Sequence, residues 1–254
     1  MDIIKLKPAR GWIWVKQGYQ LIMCNPLLAI SLALAGTLMI FIALKTPLIG
    51  PLLTLLLMPL VLAGYMRVCR ALEENETVEL AHLFAGFLKQ HAARLTALGG
   101  FLILGLLITS ILIISIGGEP LTTLLDTLKS TDDPQALVDA MWAAGSSVAI
   151  SLIVGFALVC VLMLAFQYAP MLVFFNGIPP FAALRASLTG SFRNLIPYTV
   201  YNLIMQGIAL VLSMLPFNIG LILLLPLGLT SLYVSYRNIF PFADELIPAH
   251  STEI

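Results

Sequence analysis

Residues 179–215 read PPFAALRASLTGSFRN followed without interruption by LIPYTVYNLIMQGIALVLSML. The first part is a short amphipathic segment carrying Arg185 and Arg193, and the second is an uncharged apolar run. A helix needs about 20 apolar residues to cross a hydrocarbon core of about 30 Å. The junction therefore predicts a helix lying on a membrane surface and feeding a transmembrane helix. The same order recurs near the N-terminus and in the middle, so the chain reads as three copies of interfacial helix, span, span.

Of the 254 residues, 60% are hydrophobic and 10% charged, with a mean hydropathy of +1.01. A soluble fold of this composition lacks the polar surface to cover itself. Charges bound uncharged stretches of 28 residues (Lys16 to Lys45), 21 (Lys45 to Arg67) and 24 (Arg94 to Glu119), each holding one span. The 45 residues between Asp139 and Arg185 hold one long span and a break. The 43 between Arg193 and Arg237 hold two spans, turning at Pro216, Phe217 and Asn218. The expected fold is an all-α integral membrane protein with six transmembrane helices and three cytoplasmic-side interfacial amphipathic helices, arranged as a pseudo-threefold repeat. One polytopic domain covers residues 1–254, with repeats near 8–70, 77–178 and 179–240 and an outer segment at 117–139.

Formal net charge is zero, so orientation must come from charge distribution. With both termini inside, eleven of thirteen basic residues fall on one side, leaving only Lys45 and Lys129 opposite. The positive-inside rule makes the basic side cytoplasmic. The outer segment carries five acids against Lys129, the sign that rule tolerates outside. The first apolar run follows a basic arm but is too long for a signal-peptide core, so it is expected to be retained. Cys24, Cys69 and Cys160 form no C-x-x-C pair and read as reduced structural thiols. No cofactor and no metal is expected.

Trp12, Val15, Tyr19 and Ile22 recur along one helical face, the pattern of a helix lying in the interface. Leu80, Leu83, Phe84, Phe87 and Leu88 give the cleanest amphipathic signature in the chain and predict a second such helix. Trp12, Trp14, Tyr19, Phe84, Phe87, Phe181, Tyr236 and Arg237 are the candidate interfacial anchors. Glu73, Glu74, Glu76 and Glu79 read as a solvated acidic patch, and His82 and His91 are too far apart to share a helix face as ligands. Pro59, Pro170 and Pro226 place one proline in every even span. Small residues at i, i+4 predict close helix packing at Ala29 with Ala33, Gly145 with Ala149, and Ser151 with Gly155. Asn202 and Gln206 share a face and form with Gln167 a candidate intramembrane polar cluster. Interhelical hydrogen bonding is the expected role, because no ionisable side chain lies at midplane depth. Pro120 and Pro134 each open a short helix in the outer segment, the first with Leu121, Leu124, Leu125 and Leu128 as its apolar stripe.

Laying Gly18 over Ser187 brings Asn25 over Asn194, with Gly86 and Ala93 in the middle repeat. The N-terminal pattern consists of Gly11, Trp12, Trp14, Gly18, Tyr19 and Leu21, before Asn25, Pro26 and Leu27. In these residues the chain resembles a group of uncharacterised bacterial inner-membrane proteins. The later pattern Pro180, Ala183, Leu184, Ser187 and Asn194 is similar to YciC-type proteins and to the membrane portion of some glycerophosphodiester phosphodiesterases. The resemblance implies a six-helix protein of the bacterial inner membrane; no phosphodiesterase catalytic sequence accompanies it, so that activity is not expected here.

The expected function is non-enzymatic: a membrane protein engaging lipids, or serving envelope upkeep or assembly. A transporter or channel for a small or lipid-like substrate is the alternative, motivated by the repeats and proline-broken spans. No H-E-x-x-H, G-x-S-x-G or paired membrane carboxylate points to an enzyme. Membrane lipids are the expected partners, with a membrane protein or a second copy as further partners and no nucleic acid.

Overall fold

Prolines and their neighbours set where the helices begin. In a computed structural model describing residues 3–131, 133–214 and 219–241, with the side chains of 137 and 219–222 left aside, all regular structure is helical. Asn25 caps the helix opened by Pro26, its Oδ1 accepting from the Leu28 amide at 3.3 Å. Asp133 does the same ahead of Pro134, accepting from the Gln135 amide at 3.1 Å. Such caps satisfy amides that have no partner within the first helical turn. The helices are α1 (Arg10–Cys24), α2 (Pro26–Leu44), α3 (Gly50–Glu73), α4 (Leu80–Leu83), α5 (Lys89–Ser130), α6 (Pro134–Ala143), α7 (Gly145–Gln167), α8 (Ala169–Asn176), α9 (Pro180–Arg193), α10 (Leu195–Ser213) and α11 (Ile219–Ile239).

Among the described residues, five segments are long and apolar enough to cross a membrane: α2, α3, α5, α7 with α8, and α10. The expected sixth span coincides with α11, which is not among these five. The turn expected at Pro216, Phe217 and Asn218, and the tail beyond Pro241, lie outside the described residues.

The chain divides into two compact units, one running up to Gly100 and resuming at Ala165, the other spanning Phe101–Leu164. In the first, α1 lies against α10 and α11, and α2 pairs with α3. Its core holds Trp14, Tyr168, Tyr233, Tyr236 and Phe240, all fully buried. Ala29 and Ala33 are buried as expected of a packing face, and the Tyr65 hydroxyl donates to the Ala29 carbonyl at 3.1 Å. The expected continuous helix over 80–88 does not form. One turn of α4 gives way to a 3-10 turn at Ala85–Phe87, because the backbone here sits directly on α3. A Cβ on Gly86 would lie 2.2 Å from the Leu60 carbonyl oxygen. Leu83 is buried while Leu80, Phe84 and Leu88 stay exposed, so the regular apolar spacing does not mark one buried face.

In the second unit α5 breaks at Gly118, whose φ of 56° and ψ of −149° are non-helical. The helix then continues through Pro120. Leu121 and Leu124 are buried with Ala144 and Val148, whereas Leu125 and Leu128 are exposed, so the expected four-leucine stripe is split. Ser151 and Gly155 are buried, and the Ile113 side chain lies where a Cβ on Gly155 would be. The expected Gly145 and Ala149 pair makes no such contact: Gly145 adopts φ 68° at the start of α7, with nothing within 4 Å of a Cβ there, and Ala149 is exposed.

Candidate functional site

Helix α1 has three faces, and each does something different. Gly11, Trp14 and Gly18 make a buried seam. A Cβ on Gly11 would lie 2.4 Å from the Pro197 carbonyl oxygen, and one on Gly18 would lie 2.8 Å from the Ser231 amide nitrogen, so α1 meets α10 and α11 backbone to backbone. Trp14 meets Tyr201 edge-on, with ring centroids 6.2 Å apart. On this side the helix packs against protein.

One flank, with Arg10, Gln17, Gln20 and Cys24, borders a polar cavity of about 580 Å³ completed by Glu73, Asn75, Arg237 and Asn238. Glu73 accepts from the Tyr233 hydroxyl at 2.7 Å and is ion-paired with Arg237. Arg10 donates to the Asn238 side-chain oxygen at 3.1 Å. Glu74 pairs with Arg70 at 2.8 Å and Glu76 with Arg67 at 2.6 Å. The acidic patch is therefore not simply solvated. The Arg67 guanidinium bonded to Glu76 holds its carboxyl below the usual carboxylate range.

The opposite flank, with Trp12, Val15, Lys16, Tyr19, Ile22 and Met23, borders a groove of about 410 Å³ closed by Ile30, Ile208, Leu212, Leu223, Pro226 and Leu227. Lys16 supplies the one ionic group among these lining residues. The face read from the spacing of Trp12, Val15, Tyr19 and Ile22 thus exists as a groove wall. Polar and apolar recesses lie on either side of one helix.

Two further joints hold this arrangement. The Asn194 side chain is 1% exposed and accepts from the Leu6 amide at 2.8 Å while donating to the Ile4 carbonyl at 2.9 Å and the Gly190 carbonyl at 3.1 Å. The Ile4 amide donates to the Ile239 carbonyl at 3.1 Å, so the N-terminal arm is tied to both the α9–α10 joint and the end of α11. The buried Ser187 hydroxyl accepts from the Tyr168 amide at 3.0 Å where α7 stops ahead of Pro170. The Tyr168 hydroxyl in turn shares a hydrogen bond with Ser235 at 3.1 Å.

The expected polar cluster is not joined. Asn202 donates to the Tyr198 carbonyl of its own helix at 3.0 Å. Gln206 is exposed, and neither it nor Gln167 is hydrogen-bonded to another member of the cluster among the described residues. Among the expected anchors, Trp12 and Tyr19 are both 55% exposed, Phe84 and Phe181 are exposed, and Phe87 is half-buried against Phe84. Trp14 and Tyr236 are corrected: both are fully buried, Trp14 in the α1 seam and Tyr236 through its hydroxyl on Asn176, so neither can face headgroups. Arg237 is half-buried on Glu73. His82 accepts from the Glu79 amide at 3.0 Å as a helix-start partner, and His91 packs on Phe174 with centroids 4.6 Å apart.

Sequence reasoning read Glu73 only as part of a solvated patch and assigned no buried partners to Tyr168, Tyr233 or Ser235. Glu73 and Arg237 are 164 positions apart, and nothing local marks them as a pair. The hydroxyl spacing in SLYVSY at 231–236 was the available signal, since Tyr233, Ser235 and Tyr236 all find buried partners.

Among known proteins the chain is 29% identical over 216 residues to a probable inner membrane protein of Burkholderia thailandensis, covering 84% of this chain and 78% of that one. No family model and no solved structure matches it. With five membrane-length apolar segments among the described residues, the chain is an integral membrane protein, similar over most of its length to a probable inner membrane one.

Proposed function

We propose that this is a non-enzymatic protein of the bacterial inner membrane that engages phospholipids from the cytoplasmic side, in envelope upkeep or in assembly of a membrane complex. The observation that carries the reading is the division made by α1, with a polar cavity on one flank and an apolar groove on the other. A helix at the cytoplasmic interface meets water on one side and acyl chains on the other, and α1 is built for that position. Eleven of the thirteen basic residues on one side support both termini being cytoplasmic, with α11 as a sixth span. The half-buried Glu73 and Arg237 beside the polar cavity are engaged with each other, and Glu73 with Tyr233 as well, which favours a binding role over chemistry.

The threefold reading has its own support. Gly18 in the first repeat meets Ser231 beyond Pro226, Gly86 in the second meets Leu60 beside Pro59, and Ser187 in the third meets Tyr168 just before Pro170. Each repeat thus presses a small residue of its leading segment onto the proline-bearing helix of another: first on third, second on first, third on second. This cyclic order is what three homologous units closing on one another would produce. The likeness of the Pro180 to Asn194 pattern to YciC-type proteins fits the same picture.

Native mass spectrometry of the protein extracted from its own membrane with minimal detergent tests the function. Stoichiometric phospholipid retained by the chain is the expected result. A stoichiometric protein partner with no lipid would replace this reading with an assembly role alone.

A further inference from the structure

We infer that the groove between α1, α10 and α11 binds one acyl chain of an anionic phospholipid of the cytoplasmic leaflet, with Lys16 meeting its phosphate; this rests on the lipid-engaging reading above and gives it a site. The groove floor is formed by buried Val15, Ile22 and Pro226. Its size, about 410 Å³, lies in the range of small-molecule sites. Such a surface is unfavourable to leave in contact with water, and the polar groups among its described lining residues are those of Trp12, Lys16 and Tyr19.

Charge complementarity selects the lipid class. Lys16 sits one turn from Trp12 on one side and from Tyr19 on the other, and all three are exposed along one edge. A lysine stem can run along an apolar wall while its ammonium reaches the headgroup layer, and exposed Trp and Tyr rings prefer that same depth. With one ammonium and no carboxylate among the described lining residues, the recess matches a ligand that is apolar in its body and anionic at one end. The polar cavity across α1 is a weaker candidate, because Glu73 and Arg237 there are paired with each other.

The test uses the purified full chain in neutral detergent, titrated with phosphatidylglycerol or phosphatidylcholine of identical acyl chains and read by native mass spectrometry. The wild type is expected to retain one phosphatidylglycerol in preference to phosphatidylcholine. Lys16→Gln should lower that retention about fivefold, the value of one cation near a lipid phosphate, and bring the two lipids level. Ile208→Trp should fill the groove and abolish retention of both. Because Ile208→Trp can also disturb folding, wild-type protein is labelled in parallel with phosphatidylglycerol carrying a diazirine in its acyl chain. Adducts are expected on peptides holding Met23, Ile208 or Leu212. Undiminished phosphatidylglycerol retention in Lys16→Gln, or adducts confined to α5 and α7, would overturn the groove assignment while leaving lipid engagement standing. A wild type that retains no phospholipid would overturn both. A lipid-free dimer with cross-links through these residues would assign the groove to a second copy of the chain.

Discussion

At Asn194 a single amide ties together the N-terminal arm and the joint between two helices. Its three hydrogen bonds reach Leu6, Ile4 and Gly190, and water has almost no access to replace them. Leaving a buried donor or acceptor unpaired costs about 1–3 kcal/mol. Asn194→Ala should therefore lower Tm and open residues 3–7 to protease; an unchanged Tm with a protected arm would show that the arm is held otherwise. The residue was legible in the sequence as a hand-over between helices, in register with Asn25. What it binds was not, because Leu6 lies 188 positions away. The two asparagines also differ in task, since exposed Asn25 merely caps α2. Gly86 makes the converse point. An added methyl there would press on the Leu60 carbonyl, and overpacking of this kind costs about 1–3 kcal/mol. Gly86→Ala should thus lower Tm, while Gly100→Ala, where a Cβ would meet nothing within 4 Å, should not.

For single elements, apolar spacing told which residues are apolar but not always which are buried. The 80–88 segment has a helix-like pattern, yet its backbone is pressed so closely on α3 that the helix is broken and Leu83 alone of the apolar set sinks fully. Just before it, the turn after α3 is fastened by Glu76 on Arg67. Because that bond depresses the carboxyl's folded-state pKa, its contribution is fully present above the ordinary glutamate value of about 4.3 and is lost as pH falls through the lower folded one. Limited proteolysis with an acid-active protease should find residues 74–79 opened below about pH 4. Arg67→Met should already be open at neutral pH, and equal protection of the two proteins throughout would remove the ion pair from consideration. On α10, Asn202 is satisfied by its own helix, so it does not act as interhelical glue. The double change Asn202→Leu with Gln206→Leu should cost less than about 1 kcal/mol by thermal unfolding. A larger loss would mean that these amides join helices after all.

For the whole molecule, the long uncharged runs were readable as membrane-length helices because bilayer thickness fixes their length so tightly. The placement of α1 was not readable in the same way. Its seam of Gly11, Trp14 and Gly18 is a local signal for close packing, but its partners Pro197 and Ser231 are chosen from the far end of the chain. The proposed orientation is open to direct measurement. In a background with Cys24, Cys69 and Cys160 replaced, Ser130→Cys should react with a membrane-impermeant thiol reagent added from outside. Reaction only from the cytoplasmic side would invert the topology. Ser251→Cys should be spared by the same reagent, and Ser251 lies outside the described residues.

The tie between the first residues and the last helices also imposes an order of events on biosynthesis. The α1 seam and the arm at Ile4 and Leu6 are completed only by Asn194, Pro197, Ser231 and Ile239. At a synthesis rate of about 5–20 residues per second, those groups leave the ribosome roughly ten to forty seconds after α1 does. Throughout that interval the glycine-lined face of α1 and the amides of Ile4 and Leu6 lack the partners they have in the folded protein. Closure of this protein is therefore a late event in its manufacture, with the opening segment waiting to be locked by the closing one.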